Sequence, residues 1–400
     1  MMPKPFWVAL GLSVVVFASL HVEWWRHRRA LSRIPIRIHV NGTRGKSSVT
    51  RLVAAVLRAH GVATVAKTTG TSARLILPDG SEQPVARDGR PNIRELIRTT
   101  RAAARLGAQA IVFECMAVDP DLQRVAELAI VRPTMTIVTN ARLDHTDVQG
   151  RTEHDIARAF AVRPGGTLIT ADPLVLDMQG LRARWSGGSV HLANPDSVDA
   201  DVFHDMRYLE HPENVAVALE VAGLLGIPRG VALAGIRQSE PDPGMAAVID
   251  VPAASGSWTL VNLFAANDPE STFRALATVE SMFGTLESPL LLFASRPDRT
   301  SRSAEFARAL AEHQDRFPKI VVWGERTGVL VRLARRHGVA ADAILDAGNR
   351  APEELTDLVL DNLGSTRVVV GVGNIVGPAH RWLETLAEAI EKAQPEQADA

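Results

Sequence analysis

Short apolar runs alternate with amphipathic stretches along most of the chain. Residues 34–40 (IPIRIHV) predict a strand. Residues 47–60 predict a helix, with Val49, Leu52, Val53, Val56 and Leu57 on one face and Gly61 closing it. A short strand over 63–66 follows, then a helix over 93–106 and a strand over 110–113 that ends at Glu114. Further strands are expected over 135–139 and 166–170, and a helix over 214–225. Strands alternating with helices predict an α/β fold, a parallel sheet covered on both faces with ligands at the carboxyl ends of its strands. Pro241-Asp242-Pro243-Gly244 breaks the pattern and marks a boundary. Beyond it the alternation resumes, with strands expected over 259–264, 289–294, 319–323 and 367–370, before a polar tail over 393–400 that reads as disordered.

The first 33 residues follow another rule. Residues 6–20 (FWVALGLSVVVFASL) carry no charge, Trp24-Trp25 comes shortly after, and Arg26, Arg28, Arg29 and Arg33 follow. A cleaved signal peptide carries its positive charge ahead of the apolar stretch. Here the charge lies behind it, which predicts a single-pass N-terminal anchor in the cell membrane with the catalytic body in the cytoplasm.

Composition sharpens the picture in two places. The 400 residues are 46% apolar with a net charge of −1, enough for packed cores and too neutral to suggest nucleic acid as a partner. Basic residues are almost all arginine: only Lys4, Lys46, Lys67, Lys319 and Lys392 are lysines. One of these rare lysines sits inside a glycine loop. The single cysteine, Cys115, excludes a disulfide framework and a thiolate metal cluster.

That loop, Asn41-Gly42-Thr43-Arg44-Gly45-Lys46-Ser47-Ser48, lies between the first strand and the first helix of the body. Such a loop holds a triphosphate: backbone amides face the phosphates, Lys46 neutralises charge and Ser47 can ligate Mg²⁺. The strict G-x-x-x-x-G-K-[ST] form would need glycine at position 40, where the chain has Val40. Glu114, at the end of a neighbouring strand, is placed to hold Mg²⁺ directly or through water. At the end of the 135–139 strand, Thr139-Asn140-Ala141-Arg142-Leu143-Asp144-His145-Thr146-Asp147 gathers amide, carboxylates and imidazole, with His145 as a candidate ligand of a second metal. Lys67, Thr69, Thr71 and Arg74 follow the second strand, and with Arg90 and Arg94 they are candidates for binding an acidic acceptor. Gly371-Val372-Gly373 reads as a close-packed turn, because no acidic residue follows at dinucleotide-site spacing.

In order, GTRGKSS, FEC, TNARLDHTD and HPENVAVALEVAGLLGI resemble the Mur ligase superfamily from about residue 34 to 383. HVNGTRGKSSVTRL, AKTTGTSAR, ECMAVDPDLQ, LFAANDPEST, RPDRTSR and VVVGVGNIVGP look most like the membrane-anchored ATPase/ligase subunits of poly-γ-glutamate synthases. The resemblance implies an ATP-binding P-loop domain over 34–244, like the central domain of Mur ligases, and a smaller Rossmann-like domain over 245–392. It also implies an ATP-dependent ligase forming γ-glutamyl amide bonds through an acyl phosphate, with two Mg²⁺ ions. Lys46, Glu114 and His145 would be catalytic; Ser47, Glu114 and His145 would bind metal. Asn214 would meet adenine, Asn140 would line the nucleotide site, and Asn267, Arg296 and Asp298 would close over ATP and substrate. Glutamate and the growing polymer, a small polytopic membrane subunit and possible homo-oligomers are the partners implied. The family's usual metal-binding lysine after the Asp-His turn is missing, since no lysine occurs between Lys67 and Lys319. Another Mur-type ligase, extending folate or a wall precursor, and a P-loop ATPase driving export remain open as alternatives.

Overall fold

The computed structural model describes residues 4–69, 73–85, 87, 91–144, 146–199, 201–204, 206, 208, 210–241, 245–254, 256–266, 268–298 and 300–393. The chain forms two compact units, Met1–Val202 with Glu210–Glu240 and Phe203–Leu209 with Pro241–Ala400.

The first unit is built on eight strands: β1 (Ile36–Asn41), β2 (Thr64–Lys67), β3 (Arg74–Ile76), β4 (Glu82–Pro84), β5 (Ala110–Glu114), β6 (Met135–Val138), β7 (Thr167–Thr170) and β8 (Ser189–Leu192). Their order is β4-β3-β2-β5-β1-β6-β7-β8. All neighbours pair in parallel except at the β2-β3-β4 edge, which is antiparallel. The central strands are buried on both faces, which is why β5 reads as a continuous apolar run up to Glu114. Its register sets Val40 opposite Glu114, while β6 sets Asn41 opposite Val138. The phosphate loop therefore leaves the sheet between the ends of two neighbours. Val40 is a fully buried strand residue, so the position where the strict motif wants glycine lies inside β1, before the loop begins.

Helices α1 (Lys4–Leu31), α2 (Lys46–Ala59), α3 (Glu95–Arg105), α4 (Pro120–Val125), α5 (Glu153–Ala159), α6 (Pro173–Trp185), α7 (Asp201–His204), α8 (Pro212–Leu224) and α9 (Arg229–Arg237) accompany this sheet in the chain. α4 continues into a π-turn, Ala126–Val131. α2 is held on many sides: ten of its residues, from Ser48 to Leu57, are buried, and α8 and α9 pack on it. At Gly235 an added Cβ would meet the Ala55 carbonyl oxygen at 2.8 Å, so glycine is what lets α9 lie this close.

The N-terminal segment was expected to anchor the chain in a membrane. It is one helix, α1, but no helix among the described residues is long and apolar enough to cross a membrane. The far end of α1 belongs to the folded unit. Ala30 and Leu31 are buried, His27 Nε2 hydrogen-bonds the Ile130 carbonyl at 2.8 Å, and Glu23 pairs with Arg94 at 2.8 Å.

The second unit carries β9 (Ala247–Val251), β10 (Trp258–Asn262), β11 (Leu290–Ser295), β12 (Lys319–Gly324), β13 (Ile344–Gly348) and β14 (Val368–Gly373) in the order β13-β12-β11-β14-β10-β9. Only β9 runs antiparallel to its neighbour. Helices α10 (Pro269–Phe283), α11 (Thr300–Glu312), α12 (Thr327–Arg336), α13 (Pro352–Asp361) and α14 (His380–Ala393) complete it. Apolar clusters line both sheet faces, one around Phe293, Phe306 and Phe317, the other around Trp258, Trp323 and Trp382. Gly371 and Gly373 were read as a turn but end strand β14, where the close packing does hold: a Cβ on Gly371 would sit 2.5 Å from the Phe264 ring and one on Gly373 2.7 Å from the Ala294 carbonyl oxygen.

Candidate active site

The phosphate loop is braced from the β6 side. Asn140 accepts from the Arg44 amide at 3.0 Å through Oδ1, and its carbonyl accepts from the Thr43 amide at 2.9 Å. The Thr139 hydroxyl donates to the Arg44 carbonyl at 2.6 Å. On the other side, Asn41 accepts from the Gly42 amide at 2.8 Å and donates to Gln123 at 3.0 Å. Gly42 has φ +124° and Gly45 φ +79°, backbone shapes that L side chains rarely adopt. A Cβ on Gly42 would meet Thr139 Oγ1 at 2.1 Å.

α2 begins at Lys46, so Ser47 stands in its first turn, where the backbone amides have no carbonyl partner within the helix. The Ser47 hydroxyl donates to Glu114 Oε2 at 2.9 Å, and the Thr69 amide donates to the same oxygen at 2.6 Å. Lys46 Nζ donates to the carbonyls of Gly42 at 2.7 Å and Thr43 at 3.0 Å. Burial holds its ammonium below the usual lysine range, against the opposing pull of Glu114, Cys115 and Asp144. Ser47 and Glu114 together offer hard oxygen donors of the kind Mg²⁺ takes. Among the described residues no three His, Cys, Asp or Glu side chains gather into a metal cluster.

Behind Gly45 lies a buried polar pair. Asn214 Nδ2 donates to Glu210 Oε1 at 2.6 Å. Burial pushes the Glu210 carboxyl up to about 7, although hydrogen bonds from Asn214, the His211 amide and Ser48 oppose the rise. Two hollows flank the loop. One of about 130 Å³ is lined by Gly42, Lys46, Thr69, Cys115 and Asp144. The other, about 610 Å³, is lined by Arg44, Gly45, Asn140, Asp172, His211 and Asn214. The larger has the size of a small-molecule site.

Comparison with known proteins gives this geometry a family. The Mur ligase middle domain matches residues 40–162, and the poly-gamma-glutamate synthase CapB C-terminal domain matches residues 248–389. PGA synthase CapB of Bacillus subtilis (strain 168) is 32% identical over 386 residues, covering 96% of this chain and 98% of that protein. The chain belongs to the CapB family of Mur ligases. Capsule biosynthesis protein CapB of Bacillus anthracis is 33% identical over 380 residues, covering 93% of this chain and 81% of its own length. In fold the chain resembles a folylpolyglutamate synthase from Thermotoga maritima, with a TM-score of 0.64 at 14% identity over 94% of this chain and 97% of that one. As a member of this family the chain is an ATP-dependent amide ligase.

The CapB-family residues singled out from the sequence fall into three groups. Gly42 to Ser48, Glu114, Asn140, Thr69 and Asn214 come together around the loop. Lys67 does not join them. It is fully buried, and its ammonium binds Glu95 at 3.0 Å, where Arg87 also pairs, so it has no free face for an acceptor. Burial holds Lys67 below the usual lysine range, while Glu95 opposes that fall. Arg74 opens β3, where its backbone amide donates to the Thr68 hydroxyl at 3.3 Å. Arg296 and Asp298 lie in the second unit just past β11 and pair with each other at 2.9 Å. Thr71, Arg90, His145 and Asn267 lie outside the described residues.

Three residues of the site went unread in the sequence. Glu210 sits four before Asn214, a spacing that places two side chains together at a helix start and could have flagged it. Gln123 and Asp172, whose Oδ2 accepts from the Ala141 amide at 2.9 Å, reach partners 82 and 31 positions away and left no local signal.

Proposed function

We infer that this ligase lengthens poly-γ-glutamate, forming γ-glutamyl amide bonds at the expense of ATP. The observation that carries the reading is the meeting of Ser47, Glu114 and the Thr69 amide beside Lys46, in a chain of the CapB family. A carboxylate is a poor electrophile. Transfer of the γ-phosphoryl group from ATP to one of its oxygens gives an acyl phosphate and ADP. The amine of the second reactant then forms the C–N bond, gives up a proton, and the phosphorylated oxygen departs as inorganic phosphate. Alignment and neutralisation of clustered negative charge are the protein's part in this.

The amino end of α2 and Lys46 face the phosphates, Asn140 and Thr139 hold the loop in shape, and the cleft beside Asn214 takes the nucleoside. Ser47 and Glu114 are the residues that would hold Mg²⁺, which when bound supplies positive charge at the phosphates. His145 as ligand of a second ion belongs to the same reading. So does a seat on the cytoplasmic side of the cell membrane beside a small polytopic subunit, supported by the apolar side chains that α1 leaves exposed, among them Phe17, Leu20 and Trp25.

The test is product analysis. The chain, in its complex, is supplied with ATP, Mg²⁺ and isotope-labelled glutamate, and products are read by mass spectrometry alongside phosphate release. A ladder spaced by one glutamyl residue, with phosphate release that depends on glutamate, is expected. ATP turnover indifferent to glutamate, or glutamate added only to a folate, would overturn the reading.

A further inference from the structure

We propose that the groove between α1 and α3 binds a linear polycarboxylate, the growing poly-γ-glutamate chain, and keeps it on the enzyme between additions. The proposal rests on the polyglutamate reading above. Arg26 and Arg29 stand on α1 and Arg33 in the turn just past its end, at i, i+3 and i+7, and Arg98, Arg101 and Arg105 repeat the same spacing on α3. This spacing keeps the α3 triplet on one side of its helix, as a row about 10 Å long, and Arg26 and Arg29 on one side of α1. All six line a single hollow of about 530 Å³, with Ala30 and Ala104 between them. α1 leads into the amino end of β1 and α3 into that of β5, and these strands are parallel neighbours. The two rows therefore run side by side in the same sense.

Like charges at this spacing repel, yet the groove gathers them without acids. Among the described residues, Arg26, Arg29, Arg33, Arg98 and Arg105 have no carboxylate partner, and all five are exposed. Glu23 is already engaged, by Arg94 at 2.8 Å and Arg101 at 3.9 Å. Arg101 is half-buried, and its Nε, shielded from solvent, has no hydrogen-bond partner among the described residues. A guanidinium fork pairs with a carboxylate through two parallel hydrogen bonds. A polymer bearing one free carboxylate per residue can meet successive arginines along both rows, whereas a compact anion reaches one or two.

The direction of the rows argues against a lipid surface as the occupant. The exposed apolar residues of α1, from Phe6 to Trp25, precede the arginines along the helix axis. A headgroup layer at the tryptophans would meet Arg26 and Arg29 and leave Arg33 and Arg105 a turn or more away. The groove also lies toward the amino ends of β1 and β5, while the loop and Glu114 lie at their carboxyl ends. It thus holds the chain away from the reacting end, as a tether does.

Two variants on different helices test the proposal, R26Q/R29Q/R33Q and R98Q/R105Q, in the full-length chain. A fluorescent γ-linked glutamate decamer is titrated into each by anisotropy, and product lengths and phosphate release are measured in the synthase complex. At about 50 mM salt each variant is expected to bind the decamer about tenfold more weakly, with the difference shrinking at about 300 mM salt. Products should shorten while the initial rate of glutamate-dependent phosphate release stays at the wild-type value. Wild-type decamer affinity and product length in both variants would overturn the proposal. So would weakened binding to phosphatidylglycerol vesicles with decamer binding intact, which would make the surface a lipid site. Wild-type chain that binds the decamer through these arginines yet releases no glutamate-dependent phosphate would refute the ligase reading and leave the polycarboxylate site standing.

Discussion

Gly45→Ala should damage the nucleotide loop through one identifiable neighbour. Gly45 adopts φ +79° and ψ 2° as the residue that opens α2. A residue with a Cβ in that left-handed region costs about 1–2 kcal/mol. The added carbon would also stand 2.6 Å from Asn214 Oδ1 and 3.1 Å from its Nδ2, too close to remain. Asn214 cannot withdraw freely, because Nδ2 is bound to the buried Glu210 at 2.6 Å. Breaking that bond costs about 1–3 kcal/mol more. The single substitution should thus cost about 2–5 kcal/mol in total, read as a lower urea midpoint for the first unit and as lost kcat/KM for ATP. In an Asn214→Ala background the obstacle is gone, and the same substitution should cost only the backbone share of about 1–2 kcal/mol. The double-mutant cycle therefore expects a coupling of about 1–3 kcal/mol. Equal costs in the two backgrounds would refute the reasoning, since Asn214 would then not be what Gly45 makes room for.

Glu114→Gln keeps an acceptor for the Thr69 amide but removes the charge, so phosphate release should fall about 100-fold or more and need more Mg²⁺ for half-saturation. An unchanged Mg²⁺ titration would remove Glu114 from the metal site. Glu210 supplies a pH prediction with a definite sign. Its folded pKa of about 7 lies above the ordinary 4.5, so the folded state holds the proton more tightly, and stability present below about pH 4.5 is lost as pH rises through about 7. Glu210→Gln should flatten that decline, worth roughly 3 kcal/mol across the window, in urea midpoints measured between pH 5 and pH 8. Lys67→Met strips the buried Glu95 of one of its two cationic partners and should cost about 3 kcal/mol of stability with little change in KM for glutamate. A raised KM at wild-type stability would instead return Lys67 to the acceptor site.

Periodicity along the chain carried much of the architecture. The strands at 34–40 and 110–114 and the helix at 47–60 fall within a residue or two of β1, β5 and α2, because burial on one face or both imprints a repeat on neighbouring residues. The glycine-lysine-serine loop was equally local, six residues whose chemistry needs no distant partner to be recognised. Edge strands were harder to read. β3 and β4 are three residues each and partly exposed, too short to impose a repeat. The N-terminal run was legible only as a helix: no helix among the described residues is long and apolar enough to cross a membrane.

What only the tertiary structure decided is which distant residues meet. Ser47 and Glu114 are 67 positions apart, and they touch because β5 pairs beside β1 with Val40 opposite Glu114. Asn140 and Thr139 reach the loop from 95 or more positions away because β6 takes the other side. Lys67 and Thr69 are two residues apart and part company, one turned to Glu95 in the interior and the other giving its amide to Glu114. The alternation of apolar and polar residues says that strands exist and which faces they bury. It does not say which strands lie side by side, because pairing order is a property of the whole sheet, and the order β2-β5-β1-β6 is what assembles this site.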